Sequence, residues 1–126
     1  MRYLALDVGD RRIGLAVGDD TFGVVRALAT LRRRSVVRDI GALRVIAGQE
    51  GVGGIVIGLP LLASGEEGTQ AARTRSFARA CAELGLPIEL VDERYTSAEA
   101  ALRGERDLDA GAAKVLLEDY LRGRSR

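Results

Sequence analysis

The stretch Tyr3-Leu4-Ala5-Leu6-Asp7-Val8-Gly9-Asp10-Arg11-Arg12-Ile13-Gly14-Leu15-Ala16-Val17 reads as two apolar strands around a short turn. Tyr3 to Asp7 is an apolar run closed by a carboxylate. Ile13 to Val17 is a second run, and the polar link between them carries Gly9, so an antiparallel hairpin is predicted. Gly23 to Leu31 predicts a third strand that extends the hairpin into a meander. Downstream, Ser35 offers a helix cap, and Val36, Ile40, Leu43 and Ala47 recur at helical spacing up to Gln49-Glu50-Gly51. Gly54 to Gly58 is a short apolar run of the kind buried on both faces. Thr69 to Leu84 carries Phe77, Cys81 and Leu84 on one helical face, and Gly85 stops it. Ile88 to Val91 is the next strand, followed by helices near Ser97 to Arg103 and Asp109 to Arg122. The order β-β-β-α-β-α-β-α-α predicts an α/β fold. Its mixed five-stranded sheet has an antiparallel N-terminal meander, then parallel strands, with helices on both faces. In such sheets, sites form outside the carboxyl ends of the parallel strands.

Composition narrows the chemistry that this frame can carry. The 126 residues suit one domain, and 47% apolar content is enough for a core of ordinary size. There is no histidine, which excludes Ser-His-Asp and Cys-His catalysis and histidine-ligated zinc. The one cysteine, Cys81, excludes a disulfide framework. Acid–base work therefore falls to carboxylates, Tyr, the one lysine (Lys114) or metal-bound water. The chain enters a strand-like run at Met1-Arg2-Tyr3-Leu4, so no signal or transit peptide is expected. No window approaches the length of a transmembrane span, so no membrane partner is expected, and a cytoplasmic setting fits. The arginines gather at Arg11-Arg12, at Arg32-Arg33-Arg34 with Arg38 and Arg44, at Arg73-Arg75-Arg79 and at Arg122-Arg124-Arg126. Arginine forks suit phosphate, so nucleic acid is a natural partner; solvated faces of an arginine-rich protein account for the clusters equally well.

Three acids sit at element ends. Asp7 closes the first strand and also suits a turn residue bonding its own backbone. Asp92-Glu93-Arg94 closes the strand Ile88-Glu89-Leu90-Val91, where an ordinary polar strand end is the alternative. Asp109 continues the stripe of Ala113, Leu116 and Tyr120 by one turn, and an N-cap is its alternative, although Asp107 also suits that cap. Converging carboxylates require a countercharge, supplied by arginine or by a divalent ion. All-oxygen ligands select hard cations such as Mg²⁺ or Mn²⁺. A pair of such ions about 3.5–4 Å apart activates water and stabilises the leaving oxygen of a phosphodiester.

The segment from Asp7 to Val17 resembles the opening of the YqgF/RuvX family, in which an Asp-x-Gly-x-x-x-Ile-Gly hairpin begins a ribonuclease H-like fold. Gly58-Leu59-Pro60, with Gly65 and Gly68 behind it, is similar to the family's second block. Asp92-Glu93-Arg94-Tyr95-Thr96-Ser97 with Ala98 and Ala100 is similar to its third, and Asp109-Ala110-Gly111-Ala112-Ala113 running into Leu116 to Leu121 resembles its closing helix. The blocks span essentially the whole chain, in the family's order. The resemblance implies one ribonuclease H-like nuclease domain over residues 1–126. Its catalytic and metal-binding residues would be Asp7, Glu93 and Asp109, holding Mg²⁺ or Mn²⁺. It implies 5′-end processing of the small-subunit (pre-16S) ribosomal RNA precursor, with Holliday junction resolution as the alternative. RNA is the favoured partner, with branched or single-stranded DNA behind it. Members are small, cytoplasmic and often homodimeric. Two features depart from the pattern: Ser97 stands where Thr is frequent, and only Arg103 to Asp107 join the last two helices.

Further candidates are Arg11 and Arg12, beside the Asp7 turn, for substrate phosphate. The glycines of the Gly58 loop permit close approach of a sugar–phosphate backbone. Arg94 flanks Glu93. Tyr95 suits base stacking or packing against the last helix, and Phe77 and Tyr120 suit the core. Two rival classes remain at this level. A phosphotransferase of the actin and sugar-kinase type shares the Asp-x-Gly hairpin, but needs two such domains to close over ATP. A non-catalytic nucleic-acid-binding ribosome-assembly factor uses the arginines without the acids.

Overall fold

In the computed structural model, the described residues are 1–93 and 108–124. The elements are β1 (Arg2–Val8), β2 (Arg12–Asp19), β3 (Val25–Ala27), β4 (Leu31–Arg32), α1 (Val36–Glu50), β5 (Gly54–Pro60), α2 (Thr69–Ala80), a 3-10 turn (Cys81–Leu84), β6 (Ile88–Glu93) and α3 (Leu108–Arg124). One sheet runs β3-β2-β1-β5-β6, with β4 also paired to β2. The β1–β2 hairpin is antiparallel, and β5 and β6 join it in parallel.

Strand alternation divides the core into two layers. Leu4, Leu6 and Val8 of β1 join Ile13, Leu15 and Val17 of β2 beneath α1 and α2. The opposite face carries Tyr3, Ala5, Ala16 and Val56 beneath Ala113, Leu116, Leu117 and Leu121 of α3. Helices thus cover both faces, as expected. The expected helix ahead of Asp109 lies outside the described residues. Among the described residues, no helix is long and apolar enough to cross a membrane.

The third strand expected over Gly23 to Leu31 is split. Its two pieces, β3 and β4, share one edge of β2, and the register slips by one residue between Ala16↔Ala27 and Ile13↔Leu31. The cause is side-chain spacing. Leu28 and Leu31, three residues apart, would face opposite sides of an unbroken strand, yet both pack on the α1–α2 core. A one-residue bulge reconciles them. Similarly, the helix expected over Thr69 to Leu84 tightens into a 3-10 turn at Cys81 while keeping Phe77 and Cys81 buried. Burial pushes the Cys81 thiol up to about 11, so it is neutral and inert at physiological pH.

The segment after β4 locks the hairpin turn to the helices. Asp39 is buried on α1; its Oδ1 accepts from the Arg34 backbone N–H at 3.0 Å, and its Oδ2 from Arg33 Nε at 3.3 Å. The same guanidinium donates from Nη1 to the Gly9 carbonyl at 3.0 Å and lies 4.8 Å over the Phe77 ring. Removing one partner of a buried pair strands the other. Asp39→Ala is therefore expected to cost about 2–4 kcal/mol, read as a lower urea midpoint at unchanged m-value.

Candidate active site at the carboxyl ends of the parallel strands

Strands β1, β5 and β6 are mutually parallel, so their carboxyl ends open on one side of the sheet. Asp7, half-buried, is the penultimate residue of β1 and shares the α3 face with Tyr3 and Ala5. Glu93, also half-buried, ends β6 on the same face as Val91, which packs beneath α3. Between these strands lies β5, whose register of Leu6↔Ile57 brings Gly58 level with Asp7.

Gly58 is the junction of the two acids. It pairs with Val91 on β6, two residues before Glu93, and the Glu93 side chain leans back over it. A Cβ at residue 58 would collide with Glu93 Oε2 and stand 3.2 Å from Leu116 Cδ2 of α3. The absent side chain therefore leaves the notch into which the Glu93 carboxylate folds, one strand across from Asp7. Sequence reasoning assigns Gly58 to approach of a substrate backbone. Its contact is with the second acid, and no local signal in the sequence connects residues 58 and 93.

The direction of α3 follows from its contacts. Leu116 lies over Gly58, whereas Tyr120 stacks edge-on against Tyr3, near the start of β1, at 5.4 Å and 72°. The helix therefore runs antiparallel to β1, and its first turn projects toward the carboxyl ends. Asp109 precedes Leu116 by seven residues, about two turns and roughly 10 Å of rise. Its backbone is thus on the side of Asp7 and Glu93, and its side chain lies outside the described residues. Among the described residues, no three Asp, Glu, Cys or His side chains form a metal-holding group. Arg94 and Tyr95 also lie outside the described residues. Asp92 is exposed.

The turn that follows Asp7 is held from three directions. Besides Arg33 on Gly9, Gln70 Nε2 of α2 donates to the Val8 carbonyl at 3.2 Å, and Arg73 Nη1 bonds both Asp10 oxygens at 3.2 Å. Sequence reasoning does not single out these anchors. Arg75 is likewise engaged, with Glu67 at 2.6 and 2.8 Å, which holds the Glu67 carboxyl below its usual range. For Arg73 and Arg75 the arginine cluster is thus a set of surface ion pairs. Arg11 and Arg12 are exposed at the hairpin turn and, with Thr30 and Arg32, line a hollow of about 430 Å³.

Comparison with known proteins is consistent along the chain. A family model described as RuvX, Holliday junction resolvase, matches residues 1–123. A protein of Anaeromyxobacter sp. (strain Fw109-5), named as a pre-16S rRNA nuclease, is 41% identical over 135 residues, covering 98% of each chain. One of the same name from Thermus thermophilus is 40% identical, covering 96% of this chain and 97% of its own. Among solved structures, T. thermophilus RuvC in complex with Holliday junction substrate superposes with a TM-score of 0.65 at 14% identity, over 99% of this chain and 96% of that one. At that identity the likeness is one of fold, the ribonuclease H-like mixed sheet.

Proposed function

The chain belongs to the RuvX family, and from that premise we propose that it is a divalent-metal-dependent nuclease, one domain over residues 1–126, that trims the 5′ end of the pre-16S ribosomal RNA. The observation that supports this most directly is the Glu93 carboxylate folded over Gly58, on the face and at the strand end where Asp7 stands. Relatives about 40% identical over nearly their full length carry the pre-16S rRNA nuclease name, which favours RNA over the junction substrate.

The residues fit a hard divalent cation. The donors are carboxylate oxygens, the missing side chain at Gly58 leaves room for that of Glu93, and there is no histidine to favour a softer metal. Asp7, Glu93 and Asp109 would hold Mg²⁺ or Mn²⁺, which supplies Lewis-acid charge at the phosphodiester and lowers the pKa of bound water. Asp7 is fixed on a seven-residue strand paired on both sides, so its carboxylate is pre-oriented by the sheet. Glu93 is set by the Gly58 notch and by Leu116 above it. Arg33, Gln70 and Arg73 keep the turn after Asp7 from moving when a polyanion approaches. Carboxylates gathered at one end of the sheet favour cationic charge over a bare phosphate.

The test is cleavage of matched single-stranded RNA, single-stranded DNA and a four-way DNA junction, with Mg²⁺ or Mn²⁺ and with chelator. RNA carrying the 5′ extension of the 16S sequence is expected to be cut fastest, and chelator is expected to stop it. Preference for the junction would replace RNA trimming with junction resolution. Binding of every substrate with cleavage of none would leave a non-catalytic assembly factor. The proposal includes a cytoplasmic homodimer, its mass read by light scattering.

A further inference from the structure

Among the described residues, Arg2, Arg26, Arg33, Arg73, Arg75 and Arg122 each form a salt bridge with an acid. Arg11, Arg12 and Arg32 form none among those residues, and they line one hollow together with Thr30. Arg12 and Arg32 are direct partners across β2 and β4, so both side chains leave the sheet on one face. Like charges placed opposite one another destabilise a sheet, and an anion bound between them reverses that cost. The face is also the relevant one. Alternation along β2 puts Arg12 with Gly14 and Ala16 beneath the α3 layer, and Gly14 is the partner of Asp7 on β1. Arg12 is thus two residues, about 7 Å, along β2 from the level of Asp7.

We propose that this hollow is a phosphate subsite. It binds a phosphodiester of the substrate strand adjacent to the one that is cut, with Arg12 and Arg32 gripping the phosphate oxygens and Arg11 closing the rim at the hairpin turn. Arginine forks suit two phosphate oxygens at once, and the opposed pair supplies two such forks. Gly14, which is buried, lies on β2 between the hollow and Asp7. The assignment of the neighbouring phosphate as the scissile one rests on the nuclease reading; the binding of phosphate by the hollow does not.

The test separates the two. In chelator, fluorescein-labelled single-stranded RNA and the matched DNA are titrated by anisotropy against wild type and Arg12→Gln/Arg32→Gln. The double variant is expected to bind about tenfold or more weakly, with a salt-dependence slope shallower by about 0.7, the value for one lost single-strand phosphate contact. Arg12→Lys/Arg32→Lys is expected to restore the slope and part of the affinity. Arg75→Gln, whose guanidinium is paired with Glu67, serves as the control and is expected to leave the slope unchanged. With metal present, KM should rise with kcat within about twofold. A single neutral methylphosphonate linkage beside the cut should weaken wild type and leave the Gln double variant unaffected; in wild type alone, this scan decides the matter if the Gln variant does not fold. Unchanged affinity and slope, or a loss confined to kcat, would overturn the subsite. If wild-type protein cleaves nothing, the nuclease reading falls while the anisotropy measurements still decide the hollow.

Discussion

Asp7→Asn and Glu93→Gln are each expected to lower metal-dependent cleavage by about a thousandfold or more, equivalent to about 4 kcal/mol of transition-state stabilisation. Both substitutions keep side-chain volume and remove one negative charge. Neither residue belongs to the apolar core: each is half-buried, at the open end of its strand. The thermal midpoint in chelator should accordingly stay within a few degrees of wild type. The two variants should also lose metal-induced stabilisation, because a ligand that binds only the folded state raises its midpoint by mass action. A matched pair of readings is therefore decisive: cleavage lost, fold retained, and the Mn²⁺-dependent rise in midpoint abolished. Wild-type cleavage by both variants would remove Asp7 and Glu93 from the reaction and with them the proposed site.

How far such a site can be read from sequence depends on the distance over which its determinants act. The β1–β2 hairpin is legible because alternation and the Gly9 turn are local, and the same alternation places Asp7 opposite Leu6 and Val8, away from the α1–α2 core. The split of the third strand left a fainter trace, the odd spacing of Leu28 and Leu31, which becomes informative only once both are known to face one core. Arginine clusters are legible as charge but not as free charge. Arg73 is bonded to Asp10, 63 residues away, while Arg12 faces Arg32 across a strand pair that follows a bulge. Composition treats these residues alike, and the fold separates an anchor from a cation with no acid beside it among the described residues. The union of Glu93 with Gly58 is the least legible feature, since it depends on side-chain direction across two parallel strands joined by a helical crossover.

That union gives the second large effect. Gly58→Ala is expected to reduce cleavage about a hundredfold while leaving stability within about 1 kcal/mol of wild type. Gly58 is not among the glycines with positive φ, so alanine is compatible with its backbone. The added Cβ meets two side chains. Leu116 Cδ2, at 3.2 Å, yields by a few tenths of an ångström, and Glu93 Oε2, the far end of a flexible side chain, must leave the notch altogether. Little packing energy is lost, but the carboxylate is displaced by more than the misplacement that costs about two orders of magnitude in rate. The kinetic pattern distinguishes this role from close approach of a substrate backbone. Displacement of Glu93 raises the Mg²⁺ or Mn²⁺ concentration needed for half-maximal rate and lowers kcat, whereas a blocked backbone raises KM at unchanged metal requirement. A double-mutant cycle isolates the contact itself. Glu93→Asp retracts the carboxylate by one methylene, so adding Gly58→Ala to it should cost far less than adding Gly58→Ala to wild type. Additive losses in that cycle, or full kcat in Gly58→Ala, would show that the notch serves something other than Glu93.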